Sequence, residues 1–143
     1  MEWSLAIGAA VALVVATTIG GLIWSRRQGA VRAGGLDRVS AADVGVEALG
    51  GSATLLQFST EFCSRCPGTA RALGSIAAER EGVDHIDVDL THRADLASAF
   101  RVTQTPTTLI VDGDGIVRAR IGGPPRPDAV REQLDLISRS SHV

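Results

Sequence analysis

The chain has no lysine and no tyrosine, and all 14 of its basic residues are arginine. No chemical step can therefore rest on a lysine amine. Excess charge is scarce as well: 14 basic against 16 acidic side chains leave a formal net charge of −2, which offers no nucleic-acid surface. Cysteine occurs twice, as Cys63 and Cys66, and histidine three times, as His85, His92 and His142. A structural zinc site needs four ligands, yet His85 falls in a strand-like run, His92 opens a helical one and His142 stands in the tail. None shows ligand spacing, so no metal is expected. Asp112-Gly113-Asp114-Gly115 does not make a calcium loop, because the twelfth position from Asp112 is Gly123, where an EF-hand places a carboxylate. No internal repeat is visible. A length of 143 residues suffices for one domain with a core, but not comfortably for two.

What is present begins with a hydrophobic run. Trp3 to Trp24 holds no charged side chain; as a helix it is about 33 Å long, against roughly 30 Å of bilayer hydrocarbon. Trp3 and Trp24 stand at its ends, where indoles favour the headgroup layer. A cleaved signal peptide fits less well than an uncleaved anchor, since the segment before the run carries Glu2 and no arginine and the run exceeds the usual length. Arg26, Arg27, Arg32 and Arg38 follow closely, whereas from Asp43 onward 14 acids outnumber 10 arginines. The basic cluster is thus local. It predicts the amino terminus outside and the following domain in the cytosol, with the arginines resting on anionic lipid heads. The expected division is an anchor with its basic flank over 1–27, a flexible Gly/Ala linker over 28–35, and a globular domain over 36–143.

The remainder reads as α/β. Ser40 is an N-cap with Asp43 at N3 for a helix over 41–49, stopped by Gly50-Gly51. Residues 53–59, ATLLQFS, form a strand buried on both faces. Residues 69–81 place Leu73, Ile76 and Ala77 on one stripe of an amphipathic helix, ended by Gly82. A strand over 83–89, a short helix over 92–100, a strand over 107–111, a hairpin turn at Asp112–Gly115 and a returning strand follow. Asp128 caps a last helix that turns Val130, Leu134 and Ile137 inward. This order predicts a mixed sheet, parallel at its centre and antiparallel at an edge, with helices on both faces.

Cys63 and Cys66 admit three readings. As a static bridge, an i to i+3 closure removes little entropy from the unfolded chain and is disfavoured in the cytosol. As half a zinc site, the pair lacks partners. As a reactive dithiol it has suitable surroundings: a buried strand before it and a helix after it, with Cys63 at the helix N-terminus, where unpaired N–H groups and the dipole favour a thiolate. Arg65 adds positive charge, Pro67 suits the first turn, and Cys66 is spaced to attack a mixed disulfide on Cys63.

Joined to the downstream Thr105-Pro106, this arrangement resembles the thioredoxin-like superfamily from about Leu36 to Ser138. The resemblance implies a thioredoxin-like fold in which the Thr105–Pro106 bond is cis and Thr105 faces the sulfurs, its backbone pairing with bound substrate. Gly122-Gly123 is similar to the family's glycine beside the substrate groove. Phe62 stands where thioredoxins usually carry tryptophan, as an apolar cover. Ser64-Arg65 replaces their Gly-Pro, a dipeptide that strongly influences redox poise, so the resemblance does not carry over their potential or the direction of electron flow. Gln57 replaces a buried aspartate that exchanges a proton with the second cysteine, leaving Glu61 as a candidate by nearness in sequence. The implied activity is that of a membrane-anchored thiol-disulfide oxidoreductase, similar to thioredoxin or TlpA-like reductases. Cys63 is then the nucleophile and Cys66 the resolving thiol; protein disulfides are the substrates and an upstream thiol reductase or other donor the partner, with no cofactor beyond the dithiol. Two alternatives stand beside it. One is an exported domain like the anchored reductases of cytochrome c maturation, which usually carry positive residues before the helix. The other is a non-catalytic docking or redox-sensing module at the membrane.

Overall fold

The computed structural model describes residues 2–34 and 37–141. Leu36, expected to open the globular domain, and His142 lie outside the described residues. The first element, α1 (Glu2–Arg27), is long and apolar enough to cross a membrane. Its described side chains, Trp3 and Trp24 among them, are exposed rather than packed on the domain, and Arg26 and Arg27 occupy its last turn.

Part of the segment expected to be a flexible linker, 28–35, is instead a strand of the sheet. Residues Val31–Ala33 form a strand, β1, paired antiparallel with β5 (Val117–Gly122) through Val31↔Ile121, Arg32↔Arg120 and Ala33↔Ala119. Without it, the outer edge of β5 would present unpaired backbone groups. Gly29 N–H donates to the Gly122 carbonyl at 2.8 Å and Gly34 N–H to that of Arg118 at 2.9 Å, extending the pairing at both ends. Gly34 is required by proximity: a Cβ there would lie 2.2 Å from the Val117 carbonyl oxygen.

Ser40 and Asp43 form a reciprocal capping box for α2 (Ala41–Val44). That helix is one turn long, shorter than expected, because Gly45 adopts a left-handed φ of 75° and closes it well before Gly50-Gly51. The strands β2 (Ala53–Ser59), β3 (Val83–Asp89) and β4 (Thr107–Asp112) occupy the anticipated stretches, and β2 is buried along its whole length. Between them lie α3 (Cys66–Ala78) and α4 (Ala94–Ala99); α5 (Pro127–Ser140) closes the chain. Arg126, not Asp128, is the N-cap of α5: Pro127 takes the first helical position, where its missing N–H costs nothing, and Asp128 lies in the first turn.

The sheet is mixed, in the order β1-β5-β4-β2-β3. Among the described residues only β2 and β3 run parallel, and they lie at one side rather than at the centre. The reason is the hairpin at Asp112–Gly115: β4 inserts antiparallel beside β2 and carries β5 with it. Alternation along the strands sorts the core into two clusters. Leu55, Ile110, Ala119 and Ile121 pack with Leu73 and Ile76 of α3 and Val130, Leu134 and Ile137 of α5. Leu56, Phe58, Leu109 and Val111 pack on the opposite face with Val44 and Leu96, where the Phe58 and Phe100 rings stand 5.0 Å apart. Burial on both faces of β2 and β4 holds their ends, and the loops growing from them, in fixed positions.

Candidate functional site

β2 ends at Ser59 and the chain turns before α3. Cys63 N–H donates to the Thr60 carbonyl at 3.1 Å and Cys66 N–H to that of Cys63 at 3.2 Å. Cys63 and Cys66 are joined as a disulfide, with S–S 2.11 Å and Cα–Cα 5.4 Å. The expectation that Cys63 opens the helix is corrected by one turn. Cys66 is the first residue of α3, Arg65 its N-cap and Pro67 its second residue, while Cys63 lies in the preceding turn. The two sulfurs differ in access, for Cys66 is 4 % exposed and buried in the domain while Cys63 is half-buried. Ser64 and Arg65 between them are exposed.

A second loop meets this turn. The Thr105–Pro106 bond is cis, and Thr105 Oγ1 stands 3.4 Å from Thr60 Oγ1, on the residue whose carbonyl receives Cys63 N–H. Thr107 Oγ1 donates to the Gln104 carbonyl at 2.7 Å, tightening the loop. Gly123 N–H donates to the Pro106 carbonyl at 2.8 Å, so the end of β5 lies against the proline. Gly122 leaves room for Gln104, since a Cβ at 122 would fall 2.3 Å from Gln104 Nε2.

Two placements differ from the expected site. Phe62 is 85 % exposed; the turn at residues 61–62 carries its ring away from both core clusters, so it projects into solvent instead of lying over the domain. Arg65 directs its guanidinium to the stretch after α1, where Nη1 donates to Gln28 Oε1 at 3.1 Å. The contact with Gln28 was not legible in the sequence, because the linker reading gave residue 28 no fixed place.

Behind the pair lies a polar chain that motif spacing does not reveal. Gln57 is fully buried; its Nε2 donates to the Cys66 carbonyl at 3.1 Å, and its Oε1 stands 3.1 Å from His85 Nε2. Burial holds His85 below its ordinary histidine value, against the opposing pull of Asp87. The signal that could have located His85 is strand register: odd-numbered residues of two adjacent parallel strands share the face beneath α3. Glu61, by contrast, is exposed in the outer turn, where its N–H donates to Thr91 Oγ1 at 3.0 Å.

A mixed sheet between two helical layers, a Cys-x-x-Cys pair at disulfide distance where a helix opens, and a cis proline beside it define a disulfide-oxidoreductase fold of the thioredoxin-like class. The comparisons agree. The thioredoxin family model matches residues 46–135, more than half of the chain, and the chain belongs to that family. Among solved structures it is similar to a thioredoxin from Trypanosoma brucei brucei, at 27% identity and TM-score 0.53 over 63% of this chain and 78% of that one. A thioredoxin-like protein from Clostridium perfringens is 26% identical, with TM-score 0.54 over 64% of this chain and 75% of the other. Chloroplastic thioredoxin z, at 24% identity and TM-score 0.56, shares the fold over 62% of this chain and 80% of its own. No curated protein matches the chain significantly in sequence.

Proposed function

We propose that the protein is a membrane-anchored thiol-disulfide oxidoreductase that reduces protein disulfides. The observation that carries this reading is the unequal access of two bonded sulfurs in a thioredoxin-family turn: Cys63 half-buried, Cys66 buried at the start of α3. In the reduced protein the Cys63 thiolate attacks a substrate disulfide R–S–S–R′. A Cys63–S–R bond forms and R′–S⁻ departs with the electron pair. The Cys66 thiolate then attacks Cys63 sulfur, forming the intramolecular disulfide and releasing R–S⁻. Two electrons pass to the substrate, and a thiol reductase or another donor must return them. We assign Thr105 and Pro106 of the neighbouring loop, with Gly122 at the end of β5, to the substrate groove, and the projecting ring of Phe62 to an apolar contact with the substrate. We assign Ser64 and Arg65, exposed between the two cysteines, an influence on the potential by their position in the chain, with the Arg65 guanidinium itself held by Gln28. No cofactor is invoked beyond the dithiol.

The apolar helix α1 is read as the anchor, with Trp3 and Trp24 in the two headgroup layers and Arg26 and Arg27 on the cytosolic side, placing the domain in the cytosol. Insulin reduction with dithiothreitol tests the chemistry: the wild type accelerates it and Cys63→Ser does not. Equal rates would leave a docking or sensing module in place of an enzyme. Retention in carbonate-washed membranes tests the anchor, and a compartment-specific reporter fused after Val143 tests its orientation.

A further inference from the structure

The polar chain behind Cys66 has a titratable end. β2 and β3 pair in parallel with Leu55 opposite His85 and Gln57 opposite Asp87, which brings the Gln57 and His85 side chains together beneath α3. A carboxamide cannot ionise. With its N–H on the Cys66 carbonyl, Gln57 leaves an oxygen for His85, and that oxygen requires the proton of the neutral imidazole on Nε2. The charged group facing His85 is Asp87, two residues along the same strand, which accepts from Ser59 Oγ at 2.5 Å. β2 brings no ionisable side chain, and α3 brings Gly74, where a Cβ would lie 3.8 Å from His85 Nδ1. The one charged residue of α3, Arg71, is exposed. Burial favours the neutral ring, and Nδ1 is its remaining proton-accepting position.

We propose that His85, acting through Gln57, is a positioning residue that couples proton uptake to the redox state of Cys66. The inference rests on the preceding reading that the pair cycles between disulfide and dithiol. When Cys66–SH loses its proton, a buried negative sulfur forms on the residue whose backbone carbonyl Gln57 holds, and a charged ring at the other end of that carboxamide opposes the cost of the burial. The thiol proton leaves to solvent, and while the thiolate exists His85 Nδ1 holds a proton taken up from solvent. Once the thiolate has attacked Cys63–S–S–R, the new disulfide is neutral, R–S⁻ has left with the electron pair, and the ring returns its proton to solvent. Protonation of His85 therefore favours the reduced form that carries the Cys66 thiolate, and by linkage formation of that thiolate raises the affinity of His85 for its proton by the same factor.

The test is an NMR titration of the histidine rings in the full chain in detergent micelles, oxidised and then reduced with dithiothreitol, with His85→Gln assigning the resonance. The His85 midpoint is expected to be higher in the reduced protein by about half a pH unit or more, roughly a threefold change in proton affinity. The equilibrium constant against dithiothreitol should move by that factor toward the reduced form as pH falls through the same window. Both effects should vanish in Gln57→Leu, which keeps His85 and cuts the link. Equal midpoints in a chain that does cycle, or a shift that survives in Gln57→Leu, overturn this inference alone. A pair that dithiothreitol cannot reduce overturns both it and the function on which it rests.

Discussion

Phe62 offers the sharpest separation of substrate binding from sulfur chemistry. Its ring is 85 % exposed in the free protein, so replacing it with serine removes little that the fold uses. Thermal unfolding of Phe62→Ser should match the wild type, within the small range typical of surface substitutions. A protein substrate that covers the ring gains up to the value of one buried aromatic side chain, about 1.5–3 kcal/mol. At 1.4 kcal/mol per tenfold change, the variant should lose between about tenfold and about a hundredfold in kcat/KM for insulin. A small disulfide that reaches Cys63 without spanning to residue 62 should react at the unchanged rate. The assay is therefore paired: insulin and a low-molecular-weight disulfide, on the same preparations, beside a melting curve. An equal loss on both substrates would refute the reasoning, since Phe62 would then act on the sulfurs and not on the docked protein. An unchanged insulin rate would refute it equally.

Three further outcomes follow from packing and charge. Leu73 is fully buried between α3 and the sheet, and Leu73→Ala should cost about 2–5 kcal/mol in denaturant unfolding. Asp112 closes the β4–β5 turn by accepting from the N–H groups of Asp114 and Ile116 and from Arg118. Burial pushes its carboxyl upward, but these donors together outweigh burial and hold it below 3.8. Its contribution is thus present above about pH 3.8 and lost as pH falls through the lower folded value. Asp112→Asn should cost about 1–3 kcal/mol at pH 7, a difference that closes below pH 3.8; Arg118 is half-exposed and adds little to it. Gly29 has a φ of 74°, and a Cβ there would lie 2.5 Å from the Pro124 carbonyl oxygen. Gly29→Val should loosen the segment after α1 from the end of β5, seen as faster hydrogen exchange at residues 29–33.

The elements legible in the sequence are those in which a local pattern settles the outcome. The continuous apolar run of β2, the alternation of β3 and the Asp-Gly-Asp-Gly hairpin each specify structure within a few residues. The Leu73, Ile76 and Ala77 stripe does so for α3, and the Ser40–Asp43 pair for the start of α2. β1 was hidden because three residues, Val31–Ala33, are too few to show a period and acquire strand geometry only from the free edge of β5. The length of α2 depended on the backbone at Gly45, which composition does not reveal. At the site, the Cys-x-x-Cys spacing and the Thr-Pro dipeptide marked two loops that the sheet brings together. Gln57 was visible as a departure from family pattern, but its partner His85 depended on the register of two strands separated by a whole helix. The Gln28–Arg65 contact depended on how the chain leaves α1.

The most direct measurement of the central claim is covalent trapping in the two single-cysteine variants, read as intact mass after incubation with a protein disulfide. In Cys66→Ser, half-buried Cys63 should accumulate one stable mixed disulfide with substrate. In Cys63→Ser, the remaining sulfur at Cys66, 4 % exposed, should capture almost none. Equal trapping by both variants, or adducts on Cys66 alone, would contradict the assignment of Cys63 as the attacking sulfur and Cys66 as the one that resolves.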